Sequence, residues 1–262
     1  MKLKFRKQNS AISSLVLAGF LLIAMDTSLF AKTSFQHNPH SPEEMNQKFK
    51  SADFKVEKFL ERFEAEDREV FVHRNEIVAA LDIKPGIKIA DIGSGTGLFT
   101  ELLVEATGES GWTYAVDISP GFTDYVRNLS KKKGWNNLSC ILSREDSICL
   151  PENSIDLAFV CNTYHHFGQA DKVLESIKKA LKPGGELVVI DFDRVEHKSR
   201  EWILKHIHKS ADSVRSEIEK SGFKFSETKK LKGLNENYFL IFKEAEKRKK
   251  RNSNQKTTQK QE

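Results

Sequence analysis

The spacing of hydrophobic positions changes several times along the chain, and each change marks a predicted element. Between 55 and 81, Phe59, Phe63, Val70, Phe71, Ile77, Val78 and Leu81 recur among charged residues, the pattern of helices that bury one face. The turn Lys84-Pro85-Gly86 ends this stretch. From there short apolar runs alternate with amphipathic segments. Strands are expected over 87–92, 112–117, 138–142, 155–161 and 186–191, and helices over 98–106, 121–133, 170–181 and 210–221. A last pair of strands, 223–231 and 238–243, has only the turn 233–237 between them, which permits a hairpin and hence an antiparallel edge. Strands alternating with helices of about a dozen residues make βαβ units. The expected fold is therefore α/β: a doubly wound, mostly parallel seven-stranded sheet with an antiparallel edge strand and helices on both faces. Residues 32–84 form its lead-in, loose through His37, Pro39, His40 and Pro42 and helical later.

The two ends do not follow this alternation. Residues 1–31 begin with Lys2, Lys4, Arg6 and Lys7, continue in an apolar run over 11–25, and close on Ser28-Leu29-Phe30-Ala31. That order describes a secretory signal peptide. The run is short of the about 20 residues a membrane span needs. Leu29 sits poorly three places before the cut, so an uncleaved N-terminal anchor is the alternative, and the expected location is exported (periplasmic) or membrane-anchored. Residues 247–262 hold no apolar side chain and are expected to form a disordered basic tail. Its Lys-Arg-Lys-Lys-Arg run, like the N-terminal segment, suits weak contact with a membrane.

Charge changes the picture once it is divided. The chain of 262 residues carries a formal net charge of +5, of which 1–31 hold +3 and 247–262 hold +6, leaving −4 for the domain over 32–246. A nucleic-acid partner is disfavoured, because it would need a basic groove; a small molecule suits the domain better. At 39% hydrophobic and 30% charged residues, the composition excludes a multi-span membrane protein, a collagen-like fibre and a wholly disordered chain. Cys140, Cys149 and Cys161 make no disulfide framework and no C-x-x-C pair, so no metal site is expected.

The candidate chemistry begins at Lys88-Ile89-Ala90-Asp91-Ile92-Gly93-Ser94-Gly95-Thr96-Gly97. This run follows a strand and opens a helix, where doubly wound sheets bind ligands. Glycines let the backbone bend sharply there and approach a ligand closely. A dinucleotide loop reads G-x-G-x-x-G, but Leu98 stands at the third-glycine place counted from Gly93 and Thr100 at the one counted from Gly95. Asp91 adds a carboxylate at the strand end, which repels a pyrophosphate and suits an amine or cationic ligand.

An acid-x-Gly-x-Gly-x-Gly loop of this kind resembles the class I S-adenosylmethionine-dependent methyltransferases. Ala-Asp-Ile-Gly-x-Gly-Thr-Gly, with Thr163-Tyr164-His165-His166 later, is similar to the methyltransferase type 11-like members, including exported ones. The likeness runs from about Phe63 to Phe242 and implies a Rossmann-like fold, S-adenosyl-L-methionine as cofactor, and methyl transfer to a small-molecule or lipid-like acceptor. It further implies that Asp91, Gly93, Ser94, Gly95 and Gly97 hold the cofactor from the first loop. Asp117 and Ile118, after the second strand, take the ribose. An acid near 144 meets the adenine amino group; Arg144 stands there, so Glu145 or Asp146 must substitute, Asp146 being preferred. Asn162 lies beside the methionine portion, and Asp156, at the start of the fourth strand, is structural.

Methyl transfer from a sulfonium is an in-line displacement that chiefly needs alignment and exclusion of water. Where a base is used, His165 and His166 are the first choices, because imidazole titrates near neutrality, and Tyr164 is placed to orient an acceptor. Glu66, Arg68, Asp191 and His197 are candidates for the supporting wall. Cys161 reads as packing, since no paired base or second thiol accompanies it. Two other functions compete: a cofactor-binding sensor or scaffold without turnover, and an NAD-linked oxidoreductase, the latter disfavoured by the glycine spacing.

Overall fold

A computed structural model describes residues 41–51 and 53–244. The N-terminal segment expected to be a signal peptide or anchor, the first part of the lead-in and the basic tail lie outside the described residues. The sheet holds β1 (Lys88–Ile92), β2 (Trp112–Asp117), β3 (Leu138–Leu142), β4 (Ile155–Cys161), β5 (Leu181–Phe192), β6 (Phe223–Thr228) and β7 (Asn237–Glu244) in the order β3-β2-β1-β4-β5-β7-β6. β1 to β5 run parallel, and β7 pairs antiparallel with both β5 and β6. The reversed strand therefore lies one place in from the edge, and β6 is the edge strand. Strand order turns outward on either side of β1 and β4, which places a ligand crevice beyond their carboxyl ends.

Two-residue periodicity builds a core on each face. Ile89, Leu157, Phe159, Val188, Ile190, Phe239 and Ile241 point to one side. There they meet α4 (Arg74–Ala80) through Ile77 and α5 (Leu98–Thr107) through Phe99 and Leu103. Ala90, Ile92, Ala158, Val160, Leu187 and Val189 point to the other. On that side α7 (Ala170–Ala180) and α9 (Ala211–Lys220) cover them through Leu174, Ile177, Val214 and Ile218. Asp156 is structural: its carboxylate accepts from the Lys88 backbone N–H at 2.8 Å and from Lys182 Nζ at 2.8 Å, tying β1, β4 and β5 at their amino ends.

The fifth strand begins earlier than the expected 186, and Lys182-Pro183-Gly184-Gly185 falls within β5. Pairing with β4 jumps from Ile155↔Leu181 to Leu157↔Glu186, so these four residues bulge out of the ladder and the turn chemistry is spent inside a strand. The helical stretch expected over 55–81 resolves into α2 (Glu57–Phe63), α3 (Glu69–Val72) and α4.

The lead-in before 56 is not loose throughout, for it contains α1 (Pro42–Lys50). Ser41 caps it, its Oγ accepting from the Glu44 N–H at 3.4 Å, and Pro42 opens the first turn. α1 docks above the sheet because Phe49 joins Phe54, Phe59, Phe63 and Phe122 in a cluster with neighbouring ring centroids 4.7–6.0 Å apart. Phe122 belongs to α6 (Pro120–Lys133), whose cap Ser119 donates its hydroxyl to the Phe49 carbonyl at 2.6 Å. The lead-in thus forms one wall over the carboxyl ends of the strands.

Candidate active site

β1 ends at Ile92 and hands the chain to the glycine loop. Gly93 (φ +77°) is crowded: a Cβ there would lie 2.3 Å from the Thr163 side chain, so the loops after β1 and β4 touch across the switch point. Gly95 (φ +53°) faces the cleft, where a Cβ would come within 3.4 Å of the Phe63 ring. Its N–H donates to Asp117 Oδ2 at 2.8 Å, and the Ser119 N–H donates to Asp117 Oδ1 at 2.8 Å. These bonds fix the Asp117 carboxylate at the end of β2, on the cleft wall beside Ile118.

Three expected cofactor residues stand elsewhere. Asp91 lies on the same face of β1 as Ile89, buried against α5, where Thr100 Oγ1 donates to its Oδ2 at 2.6 Å; strand alternation turns it away from the cleft. Gly97 heads α5 behind the loop. Asp146 is half-buried, pairs with Arg144 at 3.0 Å and does not line the cleft, whereas Glu145 lines it and is bonded by Lys50 of α1. Of the two acids, Glu145 is the one at the site.

Burial raises the Asp91 carboxyl to about 7, with the Asp117 charge adding to the rise and the Thr100 hydroxyl opposing it. Burial likewise raises Asp117 to about 6, against the N–H donors of Ser119, Gly95 and Ile118. Raised carboxyls favour the protonated native state, so their contribution to stability is full below about pH 4 and is lost as pH rises through about 7. Asp91 alone would lose about 4 kcal/mol over that range. Urea unfolding at about pH 5 and about pH 8 is expected to show lower stability at the higher pH, with the difference shrunken in Asp91→Asn. Equal pH slopes for the two proteins would refute the assignment.

The other end of the cleft is built after β4. Asn162 (φ +47°) breaks the strand, and Tyr164–His166 form a 3₁₀ turn. Tyr164, expected to orient an acceptor, points inward instead: it is buried, and its hydroxyl donates to Glu217 Oε2 on α9 at 2.9 Å. His165 and His166 both line the cleft. Asp191, at the end of β5 and 1% exposed, binds His165 twice. Its Oδ1 lies 2.8 Å from the ring Nδ1, and its Oδ2 accepts the His165 backbone N–H at 3.0 Å. Because Asp191 only accepts, the proton sits on Nδ1, and Nε2 carries the free lone pair. His166 is held by Asn46 of α1, whose Nδ2 donates to the His166 carbonyl at 3.0 Å, and its ring packs edge-on to Phe49.

A third histidine joins them. His206 ends α8 (Glu201–His206), and its ring centroid lies 5.2 Å from that of His165 and 6.0 Å from that of His166. Burial and the charges of His165, Lys48 and Arg62 lower His206 to about 4, and burial holds His166 well below its usual range. Arg68 lines the same cleft, its guanidinium bonded to the Phe63 carbonyl at 3.1 Å. Glu66 and His197 are exposed and stand off the cleft. Cys161 lines it with a thiol that burial pushes far up, so it remains a protonated packing group.

A family model described as methyltransferase domain matches residues 83–252, from the turn before β1 to beyond β7. The chain belongs to this methyltransferase family. Its similarity to the ubiquinone/menaquinone biosynthesis C-methyltransferase UbiE of Shewanella frigidimarina is 29% identity over 126 residues, 48% of this chain and 49% of that protein. The chain thus spans about half the length of the curated relatives it matches. Among solved structures, a SAM-dependent methyltransferase from Aquifex aeolicus aligns with TM-score 0.64 and 24% identity over 73% of this chain and 99% of its own. The [4+2]-cyclase SpnF aligns with TM-score 0.59 and 14% identity over 69% and 83%. These structural likenesses carry the fold, and one fold hosts different reactions.

S-adenosylmethionine is the family's cofactor, and the cleft's own atoms fit it. Ser94 Oγ, Thr96 Oγ1 and Asn162 Nδ2 are buried on the cleft wall with no hydrogen-bond partner. Unpaired buried groups cost about 1–3 kcal/mol each, and a ligand bearing hydroxyl, amino and carboxylate groups satisfies them. Asn162 is already oriented for this, its Oδ1 accepting from Asn237 Nδ2 at 2.8 Å. Thr96 is absent from the residues that the sequence motif points to, although its place between Gly95 and Gly97 is a sufficient signal.

Proposed function

We propose that this chain transfers a methyl group from S-adenosylmethionine to a small-molecule or lipid-like acceptor bound at the histidine end of the cleft. One observation carries this reading. A single cavity of ≈ 370 Å³ runs from the glycine loop and Asp117 to His165, His166 and His206, a volume typical of small-molecule sites. Gly93, Ser94, Gly95 and Thr96 cradle the cofactor, Asp117 and Ile118 take its ribose, Glu145 its adenine, and Asn162 its amino-acid end. When bound, the cofactor supplies an electrophilic methyl on a sulfonium. The phenylalanines of α1, α2 and α6 on one side, and Phe192 and Trp202 on the other, exclude water from the acceptor. An acceptor that must lose a proton does so beside the three imidazoles. The acidic balance of 32–246 and the likeness to a quinone-pathway C-methyltransferase both support an uncharged or lipid-like acceptor over nucleic acid.

Transfer of radiolabelled methyl from S-adenosylmethionine into lipid, small-molecule and protein fractions of a cell extract tests the reading. Label is expected in the lipid or small-molecule fraction. Saturable cofactor binding with no label moved would leave a sensor or scaffold in its place. We also infer that residues 1–31 act as an export signal or anchor and that the basic tail touches the membrane weakly, readings supported by the order of cationic and apolar segments. Among the described residues no helix is long and apolar enough to cross a membrane. Fractionation with N-terminal sequencing of the mature protein tests this placement, and an intact Met1 in the soluble cytoplasmic fraction would refute it.

A further inference from the structure

We propose that His165, His166 and His206 form a binding site for a divalent first-row transition ion of the zinc type, with one coordination position open to the acceptor end of the cleft. The ligand atoms of these three residues all lie within 4.8 Å of one another. Ligands of a tetrahedral zinc ion at about 2.1 Å stand about 3.4 Å apart, so closure asks for modest ring rotations. His206 has room for them, being half-buried at the end of the short helix α8.

Each imidazole is prepared for this in a different way. His165 donates Nδ1–H to Asp191, the carboxylate–histidine arrangement that orients a metal ligand and raises its basicity. His166 Nδ1 is buried with no hydrogen-bond partner, an expensive state that an ion in the cluster would relieve. The three rings pack against one another, with centroids 4.3 Å apart for His165 and His166, 5.2 Å for His165 and His206 and 6.0 Å for His166 and His206. Two cations face the cluster, Lys48 and Arg62, but both are exposed, where solvent screens them. Asp191 is the anion bonded to the cluster, and its oxygens are already taken by His165 and the Phe192 N–H. The donors left are all imidazole nitrogens, which suit zinc, copper, nickel or iron and not magnesium or calcium.

Three protein ligands on the wall of a cleft make an open site, the catalytic type, and not a closed structural one. An acceptor bearing a hydroxyl or enol oxygen fits the open position, where the ion makes that oxygen more acidic. This assignment of the acceptor class rests on the methyl-transfer reading; the ion site itself does not.

The test uses the full chain, stripped with chelator and titrated with Zn²⁺ by calorimetry and with Co²⁺ by visible absorption. S-adenosylhomocysteine affinity is measured in parallel as the check on fold and on cofactor binding. One ion per chain is expected, with tetrahedral or five-coordinate Co²⁺ bands. His206→Ala is expected to weaken Zn²⁺ binding at least about 100-fold and Asp191→Asn about 10- to 100-fold, with S-adenosylhomocysteine affinity kept in His206→Ala. His37→Ala/His40→Ala, remote in sequence from the cluster, is expected to keep full stoichiometry. A chain that binds S-adenosylhomocysteine but takes up no stoichiometric Zn²⁺, or Zn²⁺ binding that survives His206→Ala unchanged, overturns the ion site and leaves methyl transfer standing. Failure of S-adenosylhomocysteine to bind a chain that takes up Zn²⁺ overturns the cofactor reading and leaves the ion site standing.

Discussion

Gly95→Val is expected to weaken S-adenosylhomocysteine binding by at least about 100-fold, close to 3 kcal/mol, while the fold survives. Two effects combine. At φ +53° a residue with a Cβ sits in the left-handed region, which costs a β-branched side chain most. The new Cβ would also stand 3.4 Å from the Phe63 ring, so the added methyl groups must enter the cleft. The Asp117 contact depends on the same peptide, since the Gly95 N–H holds Oδ2, and a shifted loop would release the carboxylate. Gly95→Ala is expected to lose about tenfold, from backbone strain alone. Gly93 is the harsher position, for any Cβ there collides with Thr163 across the switch point, and its substitution is expected to impair folding as well as binding. Calorimetric titration with a thermal melt on each variant measures both. Unchanged affinity in a folded Gly95→Val would show that the loop is not the cofactor cradle.

Asp191→Asn is expected to lower kcat by about 10²- to 10⁴-fold with S-adenosylhomocysteine affinity changed by no more than about twofold. Asp191 accepts at both oxygens, from the His165 ring, the His165 N–H and the Phe192 N–H. An amide offers one acceptor in place of two and turns an N–H₂ toward the ring. The imidazole then moves its proton to Nε2, and the lone pair on that nitrogen is gone. Asp191 is thus a positioning residue, and the split between a lost kcat and a kept cofactor affinity separates that role from general unfolding. One buried N–H is left facing the amide, so the variant is also expected to lose about 1–3 kcal/mol of stability. A full rate in Asp191→Asn would remove His165 from the chemistry.

The local features of this site are legible in the amino-acid sequence. Gly93, Gly95, Asp117 and Asn162 occupy the carboxyl ends of strands whose apolar runs are unambiguous, and a glycine loop between a strand and a helix has few places to go. Tyr164, Asp91 and Asp146 depart from expectation because residue type and spacing do not say which way a side chain faces. A three-residue turn sends Tyr164 into the core toward α9 and its two neighbours into the cleft. α1 carries a readable start in Ser41-Pro42-Glu43-Glu44, with Met45 and Phe49 on one face, but its docking partner Phe122 lies far along the chain. α8 has six residues and no side-chain cap, too weak a signal to place His206.

Chain order alone dictates the alternation of strands and helices, the glycine loop, and the division of charge between an acidic domain and two basic ends, because each of these is a property of neighbours along the chain. Folding in three dimensions was needed to bring Asp191 of β5 to His165 after β4, His206 of α8 to both histidines, and Lys50 of α1 to Glu145. Those meetings depend on the crossing at β1 and β4 and on hydrophobic burial of the lead-in, which act between residues up to about a hundred positions apart and leave no period in the chain.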